Sequence, residues 1–338
     1  MTAANPKPAR QLWQGQSIRF APYIVSGLVL IILPIFLSPY IQMVMTKILI
    51  FAIFAIGYDL VFGHAGLLSL GHAAFFGVGG YTTGILMVRY GINSFWLGAP
   101  LGILMAGLVA AVFGFIALRV SDIYFLLVTF ALGELLVSVA TKWPFLSTHH
   151  HITEGVMMIS HPDLGIPGFA WSITNFYYFV FLIFALCFFI IYRIVNSPFG
   201  YALRGVREDE PRMQALGYNT WLYKYLAFVI AGMFGGLAGL LSAYNNGAMY
   251  PASFGILRSS LVMLIVILGS SGTLFGPVIG AAVIIVVEFL ASMYAPVRWP
   301  LILGSVFILS VMLAREGIAV SIQKLWRKVS EHYGIVKR

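Results

Sequence analysis

The chain has 338 residues, 60% of them hydrophobic and only 9% charged, with a mean hydropathy of +0.94 and a net charge of +9. That composition lies far outside the soluble range and requires contact with lipid over most of the length, so the sequence reads as an all-α polytopic membrane protein. The positive balance does not indicate nucleic acid: the basic residues stand at the ends of apolar runs, and no basic stripe with interleaved aromatics remains for a polyanion.

A membrane-crossing helix needs about 20 apolar residues. Runs at 20–38, 41–62, 66–88, 95–118, 123–141, 175–195, 222–244, 258–271, 275–294 and 299–314 meet that requirement or approach it, which predicts about ten spans, some short or interrupted by glycine. Residues 1–19 show no short apolar core followed by a small-residue cleavage site, so no removable signal peptide is expected. The predicted organisation is a segment at 1–19, a membrane domain at 20–314 and a basic tail at 315–338. Placing the N-terminus inside leaves only Lys47, Arg89, Lys142, Arg258 and Arg298 on the outer side and the other fifteen basic residues inside. That bias makes both termini and the loop at 196–221 cytoplasmic.

The stretch from Gly63 to Tyr81, GHAGLLSLGHAAFFGVGGY, has six glycines in nineteen residues, with Ser69 and His72 among them. Glycine allows helices to approach closely, and a helix break inside lipid is tolerated only where the freed backbone is buried in protein or lines a cavity. Close packing alone is one reading. The preferred one is a discontinuous or pathway-lining segment, with Gly66, Ser69, Gly71, His72 and Gly80 as candidates. Further on, LGSSGTLFGPVIGA repeats the punctuation, Gly63-x-x-Gly66-x-Leu68 against Gly269-x-x-Gly272-x-Leu274, which hints at an internal repeat and adds Gly272 to the candidates.

Asp59, Glu134 and Glu288 fall within or at the edge of spans, where a charge is costly and usually faces a cavity or a partner. Asp59 stands close enough to the end of its run to reach the interface. Glu134, near the middle of its span, is the strongest functional candidate, although a helix-to-helix hydrogen bond explains it equally well. The external loop at 142–174 holds His149, His150, His151 and His161 without a closed ligand set, so no metal is assigned, and contact with an extracytoplasmic partner is the better reading. Cys187, the sole cysteine, sits in an apolar run and reads as a packing residue.

Between two apolar spans lies the one long charged stretch, Ser197 to Lys224. Ser197 followed by Pro198 predicts a helix start, with the helix running to Arg207. Asp209 or Glu210 caps a second helix of about two turns, with Met213 and Leu216 on one side and Gly217 as a left-handed stop. So short a helix is marginal alone and needs a surface to dock against.

The chain carries no G-x-x-x-x-G-K-[ST] phosphate loop, no H-E-x-x-H, no C-x-x-C and no G-x-S-x-G, which argues against ATP hydrolysis by that loop and against an intramembrane enzyme.

Four ordered blocks carry a resemblance: GHAGLLSLGHAAFFGVGGY from Gly63, SPFGYALRGVREDEPRMQALGYN from Ser197, KYLAFVIAGMFGGLAGLLSAYNNGAMYPASF from Lys224 and VILGSSGTLFGPVIGA from Val266. In these the chain resembles the permease subunits of bacterial branched-chain amino acid ABC importers, of the Leu/Ile/Val type with a longer external loop. The resemblance implies a multi-pass inner-membrane protein that pairs with a second, homologous permease, two cytoplasmic ATPase subunits and a periplasmic binding protein. ATP and Mg would sit on the partner subunits, and no cofactor on this chain. It also implies a coupling segment that meets the ATPase, here Arg204, Arg207, Glu208, Asp209, Glu210, Met213, Ala215, Leu216 and Gly217. Members often have small residues after the acidic start, whereas Pro211, Arg212 and Met213 stand here. Urea and short-chain amide permeases belong to the same wider family and remain an alternative for the substrate. An ion-coupled carrier using Glu134, Asp59 and Glu288 remains an alternative of another class.

Overall fold

The computed structural model describes residues 30–34, 36–143, 155–157, 159–165 and 171–295, with a few positions between 298 and 308. The predicted spans at 20–38 and 299–314 lie largely outside the described residues, as do His149, His150, His151 and the segments at 1–19 and 315–338.

In chain order the described elements are α1 (Pro39–Asp59), a π-helical turn (Leu60–His64), α2 (Ala73–Tyr90), α3 (Phe95–Ala117), α4 (Asp122–Lys142), β1 (Val156–Met157), α5 (Ile173–Val195) and α6 (Pro198–Glu208). They continue with α7 (Glu210–Ala215), α8 (Thr220–Asn246), β2 (Ala248–Met249), a 3-10 turn (Pro251–Phe254), α9 (Ile256–Gly269) and α10 (Gly276–Tyr294). Six of these are long and apolar enough to cross a membrane: α1 with its π turn, α3, α4, α5, α8 and α10. α9 is shorter. The antiparallel pair β1 and β2, with Val156 opposite Met249, ties the loop after α4 to the end of α8.

Two helices form the hub. Of the apolar window of α1, 78% is buried within the protein, and of α8, 72%, against 22% for α4. α8 packs on α1, α2 and α3, while α1 also packs on α5, α9 and α10. In lipid the hydrophobic effect does not draw helices together, so close packing must do it. The α2–α8 crossing shows how: a Cβ on Gly239 would collide with the Phe76 carbonyl, and one on Gly79 with the Gly236 carbonyl. Fully buried rings of Phe51, Phe54, Tyr58, Phe75, Phe76 and Phe228 fill the remaining space.

The predicted third span divides. Residues 65–72 are non-helical and α2 begins only at Ala73, because Gly66 adopts φ +75°, a left-handed conformation that ends the preceding helix. Lys47 and Arg258, assigned to the outer side by charge counting, stand inside helices: Lys47 lies within α1 and Arg258 in the first turn of α9.

Candidate functional site

The break at 65–72 leaves backbone amides that neither helix can satisfy, and lipid supplies no substitute. Side chains take their place. Thr129 Oγ1 of α4 accepts from Leu70 N–H at 3.3 Å, Ser69 Oγ accepts from Gly71 N–H at 3.4 Å, and Ser259 Oγ of α9 accepts from Ala73 N–H at 3.0 Å. Tyr58 donates its hydroxyl to the Ser69 carbonyl at 3.0 Å. Gly71 lies directly against the Thr129 carbonyl. His72 is fully buried, with Nδ1 3.0 Å from Ser69 Oγ and the rings of Tyr58, Phe75 and Phe228 edge-on around it at 5.0 to 5.1 Å. The break is therefore hydrogen-bonded to its neighbours, with Gly66 exposed at one end and Ser69, Gly71 and His72 brought together at its buried inner side.

Its other end meets the second Gly-punctuated turn. Gly272 adopts φ +76°, matching Gly66 at the corresponding position of the repeated pattern. Asp59, only 3% exposed, accepts from Gly272 N–H at 2.8 Å through Oδ1, while its Oδ2 lies 3.4 Å from His64 Nδ1. Arg207, near the end of α6, donates through Nη1 to the Gly63 carbonyl. Its aliphatic stem packs on Gly66, and the same nitrogen stands beside Gly272. Gly66, Gly272, Asp59 and Arg207 thus form one joint between the two Gly turns and the charged loop. Asp59 does not reach out to the interface; it is spent on the amide of a turn 213 residues away.

The charged loop folds largely as its sequence predicts. Pro198 opens α6, but Ser197 turns its hydroxyl back onto the Ile194 carbonyl at 2.6 Å and makes no side-chain cap for α6. Arg204 donates to the Val195 carbonyl at 2.9 Å. Asp209 caps α7, Oδ1 accepting from Arg212 N–H at 3.0 Å, and Gly217 adopts φ +86°. Met213 and Leu216 do not share a docked face: Met213 packs on Gly205 of α6, whereas Leu216, just past the helix end, is 66% exposed. A Glu210–Lys224 ion pair and a Gln214–Thr220 hydrogen bond complete the attachment of α7 to its own chain. Glu208, Ala215 and Leu216 are left facing outward.

Gly80 and Glu134 lie elsewhere. Gly80 packs on Met249 and the Gly239 carbonyl, a helix contact. Glu134 Oε1 accepts from Ile256 N–H at 3.4 Å, at the start of α9, where a carboxylate complements the helix dipole. Thr129, Ser259 and the Lys47–Glu288 ion pair at 3.0 Å were not singled out from sequence beyond the charge on Glu288. Only a charge or hydroxyl inside an apolar helix signals such residues, and it does not name the partner. His161 packs on Trp171 and Phe176, and burial pushes its imidazole pKa down. Among the described residues no group of three or more His, Cys, Asp or Glu is placed to hold a metal.

A multi-pass helical bundle whose interrupted helices are joined to an exposed charged loop is built as a membrane transport permease. The chain belongs to the family described as branched-chain amino acid transport system / permease component, whose model matches residues 40–315. It is 29% identical, over 94% of its length and 79% of the relative's, to the high-affinity branched-chain amino acid transport system permease protein LivM of Escherichia coli K12. To LivM of Salmonella typhimurium it is 30% identical over 81% of the chain and 68% of the relative. A second kind of relative, LivH of Escherichia coli K12, is 26% identical over 78% of the chain and 88% of that protein. These relatives are permease proteins of transport systems. No solved structure matches the chain.

Proposed function

We propose that this chain is one of two permease halves in an ATP-driven importer of branched-chain amino acids. It works with a second homologous permease, two cytoplasmic ATPase subunits that hold ATP and Mg, and a periplasmic binding protein, in a bacterial inner membrane. Both termini and the α6–α7 loop face the cytoplasm. The observation that carries the proposal is Arg207: the same short stretch that presents Glu208, Ala215 and Leu216 to the outside also sends a guanidinium to the main chain of Gly63, at the break in the membrane domain. A push on α7 by an ATPase is thereby transmitted to the Gly63–Gly66 and Gly272 turns. The ion-coupled alternative has less support, because Asp59, Glu134 and Glu288 each already serve a protein donor.

The test is leucine uptake by the complete transporter in proteoliposomes, with Arg207→Glu compared with wild type. Uptake and ATP hydrolysis should uncouple while the complex still assembles. Uptake at the wild-type level refutes the coupling role, and uptake by the permease pair without any ATPase refutes the importer reading. Urea uptake in place of leucine would move the substrate and leave the machine intact.

A further inference from the structure

At the end of α8 remote from the charged loop, a half-open cavity of about 350 Å³ lies between α8, the first turns of α1, the start of α5 and the loop at 159–161. The 27 residues of α8 set it about 40 Å from the α6–α7 side. Its volume falls in the range of small-molecule sites. Met43 of α1, Ile159 of the loop, and Ile173 and Phe176 of α5 make its apolar wall. Thr46, Ser160, His161, Asn245 and Asn246 supply polar side chains, and among the described residues that line it there is no Asp, Glu, Lys or Arg.

Two helix ends of opposite partial charge line this cavity. α8 stops at Gly247, φ +67°, whose N–H bonds the Ala243 carbonyl, and the carbonyls of Tyr244, Asn245 and Asn246 have no later turn of helix to serve them. That end is the negative pole of a long helix. Asn245 adds to it: its side-chain nitrogen donates to Asn246 Oδ1 at 3.3 Å, and its own side-chain oxygen is kept as an acceptor. α5 starts on the other wall. Ser172 takes two of its first amides, accepting from Asn175 N–H through Oγ at 3.1 Å and from Phe176 N–H through its carbonyl at 2.9 Å. The N–H groups of Ile173 and Thr174 precede the first helical acceptor and stand at the positive pole. The Thr174 hydroxyl bonds Gln42 of α1 at 2.8 Å, which fixes this helix start against the α1 wall. A cation or an anion alone would satisfy one pole and leave the other. A cavity with no charged side chain, opposite poles and an apolar wall matches an aliphatic zwitterion.

Resting on the importer reading above, we propose that this cavity is an outer station of the permease, which receives the transported amino acid before it enters the membrane domain. The ammonium group meets the carbonyl end of α8 and the Asn245 side-chain oxygen. The carboxylate meets the amide end of α5 at Ile173, and the branched side chain lies along Met43, Ile159 and Phe176.

The experiment uses the complete transporter in nanodiscs, with one cysteine placed in the cavity. Asn245→Cys is modified with a methanethiosulfonate, and the rate is followed with and without leucine. Wild type sets the background, since its sole cysteine, Cys187, is only 3% exposed. Modification should slow saturably, about tenfold when leucine is at ten times its half-protecting concentration. Isocaproate and isoamylamine, each lacking one charge of leucine, should protect far less. No protection up to the solubility limit of leucine overturns the proposal, and so does equal protection by either singly charged analogue. Glycerophosphoethanolamine tests the other source of a zwitterion: protection as strong as that by leucine makes the ligand a lipid headgroup and overturns the assignment. If Asn245→Cys does not assemble, Asn246→Cys, at an exposed position of the same lining, decides on the same criteria. A wild-type transporter that takes up no branched-chain amino acid in proteoliposomes refutes the functional reading itself, whereas uptake without protection refutes only this site.

Discussion

Replacing Asp59 by alanine tests the joint most directly. Its Oδ1 accepts from Gly272 N–H at 2.8 Å in a site only 3% exposed, so water cannot take over the bond. A hydrogen bond to a charged group contributes about 1.5 to 3 kcal/mol, and a buried amide left without an acceptor sets the cost at the upper end, near 3 kcal/mol. Asparagine keeps an acceptor oxygen in the same place and should lose about 1 kcal/mol. On heating detergent-solubilised protein and following the monodisperse fraction, Asp59→Ala should lose its fold about 6 °C or more below wild type, and Asp59→Asn about 2 °C below. If Asn falls as far as Ala, the carboxylate acts through its charge toward His64 and the hydrogen-bond account is wrong. If Ala melts with wild type, the two turns are not held together by this contact.

Gly239→Ala should prevent accumulation of folded protein in membranes, because its Cβ meets the rigid Phe76 carbonyl, whereas Gly235→Ala, with a Cβ 3.3 Å from the Phe54 ring edge, should accumulate at near-normal levels by immunoblot. Met213→Ala should loosen α7 from Gly205 and lower the amount of ATPase co-purifying with the permease pair, with insertion unaffected. Lys224→Gln, which removes a partly exposed ion pair, should cost only about 0.2 to 1 kcal/mol and leave co-purification nearly intact. Partial burial against Trp171 and Phe176 lowers the His161 imidazole pKa, so around and below its ordinary value near 6.5 the unfolded state binds more protons than the folded one. Melting temperature should therefore fall as pH drops below about 6.5, and His161→Phe should flatten that part of the profile.

The spans were legible because lipid demands long apolar runs and tolerates few charges inside them. The run at 95–118 emerges as Phe95–Ala117 and that at 275–294 as Gly276–Tyr294. The break at 65–72 was announced by its glycines but not located, since Leu67, Leu68 and Leu70 keep the hydropathy high through residues that are not helical. Position depends on Gly66 taking a positive φ and on Thr129 and Ser259 supplying hydrogen bonds from other helices, which no local pattern records. The charged loop was readable for a related reason: capping is local, so Asp209 and Gly217 act where they stand. Leu216 still closes the last helical hydrogen bond of α7, onto the Arg212 carbonyl, but helical spacing alone does not record that Met213 turns onto Gly205 while Leu216 stays exposed. Asp59 with Gly272, and Lys47 with Glu288, lie too far apart in the chain for either residue to name the other.

The acceptor that Arg207 finds in the membrane domain is a main-chain oxygen, and this shapes how the contact can be altered. No change of side chain at position 63 deletes a carbonyl, and any side chain there would strike Asp59 and the Gly272 amide. The grip can be released by mutation only from the arginine side. Comparing paired substitutions across homologues will not reveal it, since one member of the pair has no side chain to vary. What relatives can be asked instead is whether they keep a donor of guanidinium length at this point of the loop, whatever surrounds it.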